Sequence, residues 1–300
     1  MKLTEQQIAT YRQQGVVIVD NVLADSDLDP VIDEINSWVD RRARDLKGED
    51  LISNLYENVG FERRLAQVYS QCDKANAGLD IMESRGRAMF AFLFNANLLD
   101  AVEGLVGPEI TCNPIQHLRA KLPIVGEASC FHSVPWHQDA AVTWEEADPV
   151  DIVTCWIPLV DATEANGCMR VLPGVSKAGY LEHHSEGGTT IRPDVFPHAV
   201  EPMVASCPKG GVVFMSKYTP HSGLPNREDT IRWSIDLRYQ KSGEPTGRPF
   251  WPSFIVRSRS APDCKQQQYD TWCRRWDDAM VKSKGVHWHR TIPPEDRVPD

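Results

Sequence analysis

The spacing of apolar positions changes about a third of the way along the chain. Up to residue 108 they recur at helical intervals. Residues 4–14 predict a short helix, with Thr4 and Gln7 placed as a capping box and Gly15 as its stop. Val16-Val17-Ile18-Val19 predicts a buried strand. A longer helix is expected from Ser26, with Pro30 early in it and Val31, Ile32, Ile35, Trp38 and Val39 along one side. The charged stretch from Arg41 to Lys47 reads as its solvated end. Further helices are expected from Phe61 to about Cys72 and from Ala96 to Leu105, the second stopped by Gly107-Pro108.

From Glu109 onward the pattern turns to short β-rich runs separated by Gly, Pro, Asn and Asp. They are Ile110–Leu122, Ile152–Leu159, Met169–Leu172, Val200–Ala205, Gly211–Met215 and Ile231–Tyr239. A helical front before many short strands predicts a mainly β fold with flanking helices, a jelly roll of the cupin-like, double-stranded β-helix kind. No linker or repeat divides the chain. It is therefore expected to be one domain: helical over 1–108, jelly roll over 109–240, and a wrapping C-terminal extension over 241–300, helical around Gln266–Val281. Residues 176–199 have no clear period and are expected to lie as a loop over the barrel mouth.

Composition narrows the function classes. The 300 residues carry a net charge of -10, and no basic run offers a nucleic-acid surface. The eight cysteines form no C-x-x-C pair, which disfavours a zinc knuckle or thioredoxin-like site. The opening MKLTEQQIATYRQQG has no apolar h-region, and no apolar run reaches membrane-span length. The ending Arg297-Val298-Pro299-Asp300 is not a peroxisomal S-K-L address. Free thiols in a reducing, cytoplasmic compartment are expected.

The candidate chemistry sits in His137-Gln138-Asp139. Residues i and i+2 of a strand share a face. An imidazole and a carboxylate so placed need one more imidazole to make a 2-His-1-carboxylate site with open metal positions, the donor set of non-haem Fe(II) oxygenases. His221 can supply it, delivered by the Gly210-Gly211 turn, the apolar run 212–215 and a bend at Pro220. Eleven residues further on, Arg232 lies between apolar neighbours, so its strand is half-buried with a polar inner face. Its guanidinium can hold a dicarboxylate, and Ser234 shares that face.

These pieces resemble the phytanoyl-CoA dioxygenase family of Fe(II)/2-oxoglutarate oxygenases. The resemblance rests on W-H-Q-D-A at 136–140, C-W-I-P-L-V-D-A-T-E-A-N-G-C-M-R-V-L-P-G-V-S-K at 155–177 and P-H-S-G-L-P-N-R-E-D-T-I-R-W-S at 220–234. The opening L-T-E-Q-Q-I-A-T-Y-R-Q-Q-G-V-V-I-V-D-N-V-L at 3–23 adds to it. It implies iron on His137, Asp139 and His221, and 2-oxoglutarate on Arg232, with Trp156 near the cosubstrate. Gln116 is a further cosubstrate contact by this resemblance, with Arg119 and Lys121 as candidates on the opposite face of the same run. It also implies O2 as co-reactant and a small organic substrate, hydroxylated or otherwise oxidised while 2-oxoglutarate yields succinate and CO2. Secondary metabolism or lipid-like degradation would be the setting. The order Ser222-Gly223 departs from the family's usual small residue then serine, and Asp139 disfavours the halogenating variant.

Other histidines offer less. His287-Trp288-His289 has no carboxylate partner, His183-His184 fall in the expected loop, and neither His117 nor His132 has an acid at i+2. Cys130 and Cys155 read as small buried hydrophobes. The alternatives are a cupin-like isomerase or hydrolase that ignores 2-oxoglutarate, and a non-catalytic jelly-roll binding subunit. Phe90, Phe92, Phe94 and Trp144 are candidates for a substrate pocket, with core packing as the competing role. Association into homo-oligomers stays open.

Overall fold

The computed structural model describes residues 1–124, 134–262 and 267–299. Helix α1 (Glu5–Gln14) has the capping box at Thr4 and Gln7 and ends at Gly15, whose φ is 72°. Strand β1 (Val16–Val19) leads to α2 (Asp25–Gly48), α3 (Phe61–Gln71), α4 (Ile81–Ser84), α5 (Arg87–Phe92) and α6 (Ala96–Val106). Two details differ from the expected pattern. α2 begins one residue earlier, because Asp27 reaches back to the Ala24 amide. Its charged end also buries Ala43 and Leu46, since the apolar stripe of α2 continues through it.

The strands that follow are β2 (Glu109–Cys112), β3 (His117–Lys121), β4 (Val134–His137), β5 (Val153–Pro158), β6 (Met169–Val171), β7 (His183–His184), β8 (Thr190–Ile191), β9 (Met203–Ala205), β10 (Val212–Ser216), β11 (His221–Gly223), β12 (Arg232–Lys241) and β13 (Phe254–Ser258). Helix α7 (Tyr269–Lys282) comes last; Gln266, expected as its start, lies outside the described residues.

Every pairing is antiparallel. The larger sheet runs β1-β10-β5-β12-β2-β13, with β3 also on β12; the smaller runs β4-β11-β6-β9. Successive strands β3, β4, β5 and β6 alternate between the two sheets, and β9 to β12 return in the same alternating manner. That winding is the double-stranded β-helix, a jelly roll. The run expected as one strand, Ile110–Leu122, is two. Pro114 has no amide for a ladder, and the Asn113 side chain takes the Ile115 amide in a tight turn.

Strand β12 shows how the fold positions a site. Trp233, Ile235, Leu237 and Tyr239 point into the core against the helices, all fully buried. Phe61 of α3 stacks on Trp233 with ring centroids 4.9 Å apart. The alternate residues Arg232, Ser234, Asp236 and Arg238 line the cavity between the sheets. A smaller apolar cluster, including Val16, Trp156, Met169, Val171, Val213 and Met215, fills the rest of that space.

The C-terminal segment packs onto residues 139–148. Arg248 is held between Trp251 and Trp288, 4.5 and 4.8 Å from the ring centroids, and donates to the Val142 carbonyl. Arg290 bonds Thr143 and Asp148, and Arg297 pairs with Glu145. Among the described residues no helix is long and apolar enough to cross a membrane.

Candidate metal centre

Strand pairing alone brings the two histidines together, because His137 of β4 lies opposite His221 of β11. Their ring centroids are 4.2 Å apart. Strand β4 ends at His137, and Asp139 opens a 3-10 turn, Asp139–Val142. The expected strand alternation survives across this boundary because Gln138 stays extended, at φ -115° and ψ 142°. One ligand atom from each of His137, Asp139 and His221 lies within 4.8 Å of the others.

The donor set fits ferrous iron. Each histidine donates its Nδ1 proton to the carbonyl two residues before it: His137 to Pro135 at 2.9 Å, His221 to Thr219 at 3.0 Å. A carbonyl only accepts, so Nδ1 carries the proton and both Nε2 lone pairs are left for a metal. Burial, reinforced by His221, pushes the His137 pKa down to about 3, so it is neutral and ready to ligate. Burial alone would raise the Asp139 carboxyl. The Arg238 guanidinium, with His221 adding to it, holds that carboxyl far below the usual carboxylate range.

Arg238 was not foreseen, nor was Thr154. Arg238 Nη2 donates to Asp139 Oδ1 at 2.6 Å and its Nε to Oδ2 at 3.2 Å, while the Thr154 hydroxyl donates to Oδ2. The two partners face each other across β12 and β5. Carrying the period-2 reading of Arg232 and Ser234 two steps further would have found Arg238. Gln138 works on the back of the site. It donates to the carbonyls of Gly179 and Tyr218 and accepts from the Leu181 amide. Lys217 donates to the carbonyls of Ala147, Asp148 and Val150, and its own carbonyl takes the Ala140 amide next to Asp139.

Arg232 also sits on the cavity wall, buried. Nη1 donates to Ser234 Oγ at 2.6 Å, Nε to the Gly167 carbonyl at 3.3 Å, and its guanidinium carbon lies 5.0 Å from the Trp156 ring centroid. No carboxylate pairs with it among the described residues. Burial pushes its pKa down to about 10. Lys121 lies opposite on β3, and burial followed by repulsion from Arg232 lowers it to about 8. Two neighbouring cations, neither in an ion pair among the described residues, fit the distal end of 2-oxoglutarate. Gly167 is required here. Its φ is 88°, and a Cβ would lie 2.6 Å from the Leu224 carbonyl and 2.7 Å from Lys121 Cε.

The cavity measures about 1160 Å³ and is lined by the triad, Arg232, Ser234, Trp156, Arg119 and Lys121 among others. Ser222 lines it too, with a buried hydroxyl that has no partner among the described residues. Gln116 is a correction. It lies in the turn between β2 and β3, its amide nitrogen is bonded to Cys112 Sγ and the Asn113 carbonyl, and it does not line the cavity. The strand break at Pro114 puts Gln116 in a turn, off the strand where the resemblance set it. Residues 176–199 are also corrected. None of them lines the cavity. They hold the β7-β8 hairpin behind the metal strand, where His183 Nε2 accepts the Gln138 amide proton at 3.0 Å. Phe90 and Phe94 pack in the aromatic core with Phe254, while Trp144 packs on Trp288; with Phe92, none of these candidates reaches the cavity. His289 bonds Thr189, and no other metal-ligating cluster occurs among the described residues. Cys155 is buried and free; His132 and Cys130 lie outside the described residues.

The family model for phytanoyl-CoA dioxygenase (PhyH) matches residues 11–234. The chain belongs to the phytanoyl-CoA dioxygenase family. A family member from Dictyostelium discoideum, the phytanoyl-CoA dioxygenase domain-containing protein 1 homolog, is 22% identical over 268 residues, covering 80% of this chain and 92% of that protein. The solved non-heme monooxygenase ThoJ matches over 92% of this chain and 98% of its own, at 20% identity and a TM-score of 0.58. The epimerase SnoN, solved with Fe3+, alpha ketoglutarate and nogalamycin RO, matches over 88% and 93%, at 20% identity and a TM-score of 0.55. The fold is thus the cupin-like jelly roll of this enzyme group. This family member is a non-haem Fe(II)/2-oxoglutarate-dependent dioxygenase, with Fe(II) and 2-oxoglutarate as its cofactors.

Proposed function

We propose that His137, Asp139 and His221 hold the iron, that Arg232 anchors 2-oxoglutarate against Trp156 and Ser234, and that the enzyme oxidises a small organic molecule, with hydroxylation as the default outcome. The observation that carries this is Arg232: a buried guanidinium on the wall of the triad's cavity, in no ion pair with a carboxylate among the described residues. A metalloenzyme that ignored 2-oxoglutarate would leave that charge and the Lys121 ammonium without a purpose, as would a subunit that only binds.

With 2-oxoglutarate and O2, bound iron supplies the oxidising power that removes hydrogen from the substrate. The chain contributes placement. Neutral His137 and anionic Asp139 are in ligating form before metal arrives. Arg232 fixes the distal carboxylate, and the Trp156 face limits its swing. Beyond this end the wall is polar. His117, Arg119 and Lys121 of β3 lie opposite Asp236, Ser234 and Arg232 of β12. Asp80 and Asn76 add to it. This favours a substrate with hydrogen-bonding groups over a bare hydrocarbon. The solved relatives named for nogalamycin biosynthesis favour a setting in secondary metabolism. The arginine contacts to 139–148 support one oxygenase domain through to the C-terminal segment.

The test is succinate release from 2-oxoglutarate under Fe(II), screened over polar small molecules. Iron-dependent succinate, stimulated by at least one compound and lost in Asp139→Ala, supports the proposal. Product formation indifferent to 2-oxoglutarate would overturn it.

A further inference from the structure

The bond between Arg238 and Asp139 does more than hold a ligand in place. Both side chains are buried, at 7% and 4% exposure. The guanidinium spans both carboxylate oxygens, and its third nitrogen donates to the Ile115 carbonyl at 3.2 Å, which fixes its orientation. Oδ1 is the oxygen that faces His221, 4.0 Å from Nε2. Oδ2 is already engaged by Thr154 and Arg238 Nε. The carboxylate therefore offers a metal one oxygen, and its negative charge is shared with a cation.

We propose that Arg238 is a positioning residue that keeps the iron centre short of negative charge, so that the dianionic cosubstrate completes it. This rests on the metal and 2-oxoglutarate reading above. A carboxylate neutralised by a guanidinium is a weaker donor to a divalent ion than a free one. The ion is then bound less tightly than the donor set allows, and two imidazoles with a neutralised carboxylate leave it close to its full charge. The chelating end of 2-oxoglutarate is anionic and gains from that charge. The arginine thus trades metal affinity for cosubstrate affinity. A guanidinium that served only as scaffold would favour both bindings, and its loss would weaken both.

The two possibilities differ in sign. Co(II) is titrated calorimetrically into the metal-free full chain, and 2-oxoglutarate into the Co(II)-loaded chain, for the native protein, Arg238→Gln and Arg238→Lys. Arg238→Gln should bind Co(II) at least tenfold more tightly and 2-oxoglutarate at least tenfold more weakly. Arg238→Lys keeps the charge and should hold both constants within about threefold; it carries the test if the glutamine variant does not fold. Weaker binding of both ligands in Arg238→Gln, or a loss in Arg238→Lys as large as in Arg238→Gln, would overturn the proposal. If Arg238→Gln does not fold, weakening of either constant beyond threefold in Arg238→Lys would overturn it. A native protein that binds neither Co(II) nor 2-oxoglutarate would instead overturn the reading on which it rests.

Discussion

Arg232→Met should cost the cosubstrate-free protein little stability and the enzyme its cosubstrate. Burial lowers the arginine from its ordinary value of 12.5 to about 10. The folded state therefore disfavours the cation, by about 3 kcal/mol. The sign follows from linkage: with a depressed folded value, the unfolded chain holds the proton more tightly, so the penalty is present at every pH below about 10. Methionine fills similar space without charge. It forfeits the charge-assisted hydrogen bonds to Ser234 and Gly167 and the stacking on Trp156, together about 4 kcal/mol. The two nearly cancel, leaving Tm within about 3 °C of the native value. Binding has no such offset. A bidentate, charge-assisted pair with the distal carboxylate is worth about 3–4 kcal/mol, so the Kd for 2-oxoglutarate should rise about 10²- to 10³-fold. Thermal denaturation of the metal-loaded protein reads both effects. Native protein should gain Tm on adding 2-oxoglutarate, and Arg232→Met should start near the native value and gain almost nothing. A variant that still responds fully to the cosubstrate would refute the assignment of this side chain.

Three further outcomes follow from the same contacts. Gly15→Ala forces a side chain onto φ 72° and places Cβ 2.2 Å from Ser176 Oγ; urea unfolding should show a loss of about 1–3 kcal/mol, and an unchanged midpoint would contradict the packing described. Gln138→Leu strands the carbonyls of Gly179 and Tyr218 and the Leu181 amide; a loss of about 2–4 kcal/mol is expected in the same assay, and the residues 179–181 should lose hydrogen-exchange protection. Burial holds His183 at about 4, below its ordinary 6.5, so its share of stability is intact above pH 6.5 and is lost as pH falls toward 4. His183→Gln can still accept the Gln138 amide proton and should flatten that acid limb in a pH series of melting curves; an equally steep limb would count against the buried neutral histidine.

Much of this protein is legible in its sequence where a local rule acts alone. The Thr4–Gln7 box and the Gly15 stop are satisfied by neighbours in the chain. The His137–Asp139 spacing works because one extended residue separates the pair. The strand order was not legible, since no local signal tells β10 to lie between β1 and β5. Gln116 was set on a strand by resemblance, and the turn at Pro114 takes it off that strand. Arg238 was hidden by a different cause. Its partner Asp139 is ninety-nine positions away, and only the continued alternation along β12 points inward at it. Gln138 and Lys217 act on backbone groups of distant loops, for which side-chain chemistry gives no sequence address.

The most direct test of the centre is an anaerobic titration of the native protein with Fe(II) in the presence of 2-oxoglutarate, following the visible charge-transfer absorption of the chelate. One equivalent of each should saturate the band, and Asp139→Ala should show none. A native protein that develops no band, or an Asp139→Ala variant that develops the same one, would contradict the assignment of iron and cosubstrate to this cavity.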